Sequence, residues 1–114
     1  MSRDEVMYLR DIAECCGKIL RFTAGLSQSD LTGDEKTYDA VVRNLEIIGE
    51  AAKHIGPDLR GNMPGIEWRK AAGLRDMLTH AYFGIDDDIL WDVVQNKVPH
   101  LAQMLSAFLD EYEG

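Results

Sequence analysis

The stretch DEKTYDAVVRNLEIIGEAAKHIGP, residues 34–57, decides the fold. Within it Tyr38, Val41, Val42, Leu45, Ile48, Ala52 and Ile55 return mostly at three- and four-residue steps. That spacing lays them along one side of a helix and predicts a helix from about Asp34 to Ile55. Asp34 and Glu35 suit its positive N-terminal end, and Lys53 and His54 its C-terminal end. Gly56-Pro57 stops it. Gly49 sits mid-helix at a cost of about 1 kcal/mol relative to alanine, which predicts close approach of another helix there.

Upstream, Ser2-Arg3-Asp4-Glu5 has the form of a capping box. Val6, Leu9, Ile12, Cys16, Ile19 and Leu20 then make an apolar stripe on a helix running to about Ala24, which Gly25 ends. Residues Leu26 to Gly33 are polar and turn-rich, with room for one short helical turn. Downstream, Asp58 to Gly65 is expected as a loop anchored by Leu59 and Met63. A helix should begin near Ile66 or Glu67, carry Trp68, Ala71, Ala72, Leu74 and Leu78, and end before Gly84. Gly73 within it again suggests tight packing. Asp86-Asp87-Asp88 should cap a fourth helix with Leu90, Trp91, Val94 and Val98 inward. Pro99 disfavours helix at Val98 and suits the first position of a new one, with Leu101, Leu105, Phe108 and Leu109 buried. No segment alternates like a strand. The expected fold is all-α: one domain over residues 1–114, an antiparallel bundle of four main helices with the last broken at Pro99. Met77, Met104, Phe22, Phe83, Trp68 and Trp91 read as core or interface residues.

Hydrophobic residues make up 46% of the 114, enough for one core. No charged-then-apolar leader opens the chain and no apolar run approaches bilayer length, so a cytoplasmic protein without a membrane anchor is expected. The adjacent Cys15 and Cys16 make no disulfide framework. The net charge of −8 argues against a general nucleic-acid binder. The charge is uneven, however. Between Arg43 and His80 six basic residues face five acidic ones, so this segment is at +1 and the remainder carries −9. Such a protein would bind RNA only at a focused point, or would depend on a partner.

That segment holds Arg75-Asp76-Met77-Leu78-Thr79-His80-Ala81-Tyr82. Arginine is a permanent planar cation suited to phosphate, and histidine moves protons near neutral pH. The pair could cleave RNA without a metal. A bland reading exists, because arginine and histidine are favoured near a helix C-terminus by the dipole alone. Glu46, Glu50 and His54, at i, i+4 and i+8, could hold a metal with Asp76 and His80, but the Glu-x-x-His spacing of di-metal bundles is lacking, and no metal or other cofactor is expected. Glu50 reads instead as a partner for an arginine, Arg43 or Arg69. His54 and His100 are expected at helix ends or in solvent, without a role.

The motif Arg-x4-His-x-Tyr, at Arg75, His80 and Tyr82, resembles the signature of HepT-type toxins of the HEPN class (higher eukaryotes and prokaryotes nucleotide-binding). The run Arg43 to Ala52 resembles the family's second-helix motif. Trp68-Arg69, Leu74-Arg75-Asp76, Tyr82-Phe83-Gly84-Ile85-Asp86 and Trp91 resemble its central run. The resemblance is strong from Arg43 to Leu101 and weak over the first helix. It implies a homodimeric, metal-independent endoribonuclease toxin of a type VII toxin–antitoxin system. Arg75 would bind the scissile phosphate and His80 act as general acid/base. Asp76, four residues before His80, would support the imidazole. A cognate nucleotidyltransferase antitoxin would transfer AMP to Tyr82 and silence the toxin. The alternative is a non-catalytic helical dimer that binds the nucleotidyltransferase as adaptor or modification substrate.

Helix geometry adds one constraint. Arg75 and Tyr82 fall within about 20° of one stripe of a continuous helix. Arg75 and His80 fall about 140° apart around the axis and about 7.5 Å apart along it. One phosphate cannot easily touch both from a single straight helix. Either the helix unwinds before His80, or a two-fold axis brings His80 of one chain to Arg75 of the other.

Overall fold

A computed structural model describes residues 1–79 and 84–113. Helix α1 spans Arg3–Thr23, α2 Gln28–Gly33, α3 Glu35–Lys53, α4 Pro57–Asn62, α5 Trp68–Thr79, α6 Asp87–Asp92 and α7 Val98–Glu113. The described residues contain no strand. The fold is the expected all-α antiparallel bundle. Helix α3 lies between α1 and α5, and α1 lies between α3 and α7.

The expected stripes are the core. Leu9, Ile12, Cys16 and Ile19 of α1 meet Val41, Leu45, Ile48 and Ala52 of α3, all fully covered. Leu90 of α6, Val94 after it, and Val98 and Leu105 of α7 close the core. Burial holds the Cys16 thiol far above its usual range, at about 12.

The caps explain the helix ends. Ser2 and Glu5 form the capping box of α1, and Glu5 does a second job. One carboxylate oxygen accepts from the Ser2 amide at 3.2 Å and the other from the Gly56 amide at 2.9 Å. The start of α1 is thus fastened to the turn after α3. These amides hold the Glu5 carboxyl below the usual glutamate range. Gly25, with φ +76°, follows the end of α1 in the left-handed conformation that suits glycine.

Three expectations change. Residues 57–62 fold into the short helix α4 instead of a loop. Pro57 occupies its first turn, where the fixed φ is already helical and no amide is missed. Gly61 and Asn62, poor helix formers, mask the signal. Leu59 and Met63 are buried as expected. The Arg60 side chain donates to the carbonyls of Ile55 at 2.8 Å and Ala52 at 2.9 Å, closing the end of α3.

The interruption before Pro99 is a π turn, Val93–Lys97, and α-helix resumes at Val98, one residue before the proline. In a regular helix the Pro99 ring would press on the carbonyl four residues back, and no amide would answer it. The Val98 amide bonds back to the Val93 carbonyl instead, five residues away, and widens the turn.

The glycines differ from each other. At Gly49 the close approach is real, and its neighbour is Arg75. At Gly73 an added Cβ would meet nothing within 4 Å, so tight packing within the chain is absent there. Phe22 and Met77 are likewise exposed and lie outside the core, while Trp68 is buried and Trp91 half-buried. Phe83 lies outside the described residues.

Candidate active site around Arg75

Helix α5 packs chiefly on α3, and Gly49 sets how closely. A Cβ at position 49 would stand 2.5 Å from the Arg75 amide nitrogen and 3.3 Å from the Ala71 carbonyl oxygen. With hydrogen there instead, the Arg75 backbone rests on α3, and its side chain reaches Glu50, the residue after the glycine. Arg75 Nε lies 3.3 Å from Glu50 Oε2. Both side chains are about half exposed, at 47% and 52%. An ion pair so exposed contributes about 0.2–1 kcal/mol, so its consequence is aim rather than stability.

The other Glu50 oxygen, Oε1, lies 3.7 Å from His54 Nε2, one helical turn along α3. The His54 ring in turn stacks on Tyr8 of α1, with centroids 4.4 Å apart and planes within 9°. A chain of contacts therefore runs Tyr8, His54, Glu50, Arg75 across three helices. It borders an open depression of about 200 Å³, which Arg43 and Ile47 also line.

Asp76 faces the same helix. Its Oδ1 accepts from Lys53 Nζ at 3.0 Å. Arg43 pairs with Glu46 at 3.7 Å on α3 itself. The acids of the alternative metal reading are therefore each turned toward a cation: Glu46 to Arg43, Glu50 to Arg75 and Asp76 to Lys53. Among the described residues no three histidine, cysteine or acidic side chains converge.

Of the expected site residues the structure describes Arg75, paired with Glu50, and its chain neighbour Asp76, paired with Lys53. His80 and Tyr82 lie outside the described residues, as does the contact expected between Asp76 and His80. The chain is anchored on both sides of them. Before them α5 is helical through Thr79 against α3. After them the Tyr38 hydroxyl donates to Asp87 Oδ1 at 2.7 Å, and Gln28 Nε2 donates to Asp88 Oδ1, also at 2.7 Å. Burial first, and the Asp87 carboxylate second, push the Tyr38 hydroxyl up to about 12.

Comparison with known proteins decides the family. The family described as ribonuclease HepT-like matches residues 12–108. The chain belongs to the HepT-like ribonuclease family. A probable ribonuclease HepT of Thermococcus cleftensis is 46% identical over 101 residues, covering 89% of this chain and 92% of that one. A putative RNase of Methanocaldococcus jannaschii is 39% identical over 113 residues, 99% of this chain and 93% of its own. A putative RNase of Caldanaerobacter subterraneus subsp. tengcongensis is 34% identical over 104 residues, 91% and 93% of the two chains. No solved structure matches. As a HepT-like protein the chain is a ribonuclease. No helix among the described residues is long and apolar enough to cross a membrane.

Two members of the Arg75 site escape sequence reading. The partner of Glu50 is Arg75, where Arg43 or Arg69 was expected, and His54, at the end of α3 as expected, also stands beside the site. The i, i+4 spacing of Glu50 and His54 is visible in the sequence. The placement of Tyr8 beneath His54 depends on how α1 crosses α3, and leaves no sequence signal.

Proposed function

We propose that this HepT-like protein is the toxin of a type VII toxin–antitoxin pair, an endoribonuclease that cuts RNA without a metal ion. The carrying observation is the half-exposed Arg75 guanidinium, fixed at Nε by Glu50 beside an open depression. In this reading the terminal nitrogens of Arg75 hold the scissile phosphate. His80 takes the proton of the adjacent 2′-hydroxyl, and the 2′-oxygen attacks phosphorus. The bond from phosphorus to the 5′-oxygen breaks, and a proton returns from His80 to that oxygen. The products are a 2′,3′-cyclic phosphate and a 5′-hydroxyl. Arg75 supplies the positive charge that offsets the developing phosphorane charge, while Lys53 holds Asp76 at the same face.

The acting species in this reading is a homodimer. Exposed Met77 and Ile89 and the uncovered Gly73 offer apolar surface for a second copy. The cognate nucleotidyltransferase silences the toxin by modifying Tyr82. The phenolic oxygen attacks the α-phosphorus of ATP, pyrophosphate leaves, and AMP remains. Its phosphate then competes with RNA for Arg75.

The test is cleavage of total RNA by purified protein in EDTA. Arg75→Ala and His80→Ala should each lose activity, and the wild-type fragments should end in 2′,3′-cyclic phosphate. Cleavage that survives both substitutions, or that needs an added divalent ion, overturns the reading. A folded wild-type dimer that cuts no RNA supports the adaptor alternative.

A further inference from the structure

We propose that Glu50 is a positioning residue for Arg75: it holds the guanidinium by Nε and so turns the opposite edge, Nη1 and Nη2, toward the RNA phosphate. The inference rests on the proposed role of Arg75 in RNA cleavage and deepens it.

A guanidinium has two edges that can grip an oxyanion in parallel, and an arginine on a helix surface rotates about four side-chain bonds. Unrestrained, it presents either edge. Here the Nε side faces a carboxylate: Glu50 Oε2 lies 3.3 Å from Nε as an ion pair. No other described residue pairs with the Arg75 side chain. The edge that remains, Nη1 and Nη2, can still grip a phosphate bidentately. Glu50 is itself held. Its second oxygen lies 3.7 Å from His54 Nε2, and Tyr8 fixes the His54 ring by stacking. The backbone of Arg75 is fixed independently by its contact with Gly49. Root and head of the side chain thus have separate supports, both from adjacent residues of α3.

A carboxylate beside a phosphate site would be a poor choice if binding were the aim, since like charges repel. It makes sense where orientation in the transition state matters more than ground-state affinity. That contrast makes the role measurable. Glu50 is exposed, so Glu50→Ala should fold. Single-turnover cleavage of a fluorescent mixed-sequence RNA oligonucleotide then reads rate and affinity separately. Glu50→Ala should slow the saturated rate on the order of tenfold, while RNA affinity stays level or rises. Glu50→Gln keeps the reach of the side chain and removes its charge, and should fall between. A Glu50→Ala rate equal to or above wild type overturns the proposal, the faster result making Glu50 a brake.

A second readout does not depend on activity. The Arg75 Nε–H resonance, assigned by its loss in Arg75→Lys, should exchange with solvent more slowly in wild type than in Glu50→Ala. Equal exchange in both overturns the proposal. If wild type cuts no RNA, the ribonuclease mechanism fails on its own, and this exchange comparison still decides whether Glu50 holds Arg75.

Discussion

The amide nitrogen of Arg75 lies over Gly49, so near that a Cβ at position 49 would stand 2.5 Å away. The obstacle is backbone, which no rotamer change can clear. Helices α3 and α5 must separate before any larger side chain fits. The contact that lets the bundle close is therefore the one that sets the root of the proposed phosphate ligand.

Gly49→Ala should consequently destabilise the protein despite alanine's better helix propensity. Overpacking costs about 1–3 kcal/mol and the propensity gain returns about 1 kcal/mol. A melting temperature lower by several degrees is expected, since about 1 kcal/mol moves a domain of this size by about 4–8 °C. Gly73→Ala on α5 is the control. An added Cβ there meets nothing within 4 Å, so it should hold or raise the melting temperature. Thermal denaturation of both variants checks the pair, and a stable Gly49→Ala protein would contradict the described crossing.

Acid should weaken the bundle through its cap carboxylates. Glu5 is held low chiefly by the Gly56 amide, Asp30 by the Ser27 amide and Asp34 by the Thr37 hydroxyl. A carboxyl depressed in the folded state binds its proton more weakly there than in the unfolded chain. Its stabilisation is complete above the usual carboxylate range and is lost as pH falls through the depressed folded values. Urea midpoints should fall between pH 5 and pH 2, on the order of the range over which such groups titrate. Glu5→Gln should be weaker than wild type at neutral pH and converge with it in acid. Parallel curves for the two proteins would remove Glu5 from the acid response.

The sequence makes most of this fold legible because its signals are local. The stripes of α1 and α3, the Ser2–Glu5 box and the stop at Gly56-Pro57 each lie within one helix or at its end. Gly49 announces its own tight contact, although the same reading fails at Gly73. Helix α4 is missed because poor helix formers follow Pro57, and the π turn because Pro99 alone does not say how the chain will accommodate it. At the site, residue types are legible and pairings are not. Glu50 shows that it needs a cation, but its choice of Arg75 over Arg43 follows from the crossing of α3 and α5. The stacking of Tyr8 on His54 needs a third helix as well.

The remaining prediction concerns how Arg75 meets His80. Two residues five apart on a straight helix point about 140° away from each other. Unwinding between them would relieve this, but α5 is α-helical from Arg75 through Thr79. A second chain related by a two-fold axis is then the simpler way to bring a histidine to Arg75, and the expected site is shared across the dimer. Inactive Arg75→Ala subunits mixed with inactive His80→Ala subunits test it. In a shared arrangement each heterodimer has one site lacking both residues and one site intact. Such dimers should regain about half the wild-type activity, by counting sites. In an arrangement confined to one chain every site lacks a residue and the mixture stays dead. Native mass spectrometry establishes that heterodimers have formed, and verified heterodimers without cleavage would assign Arg75 and His80 to the same chain.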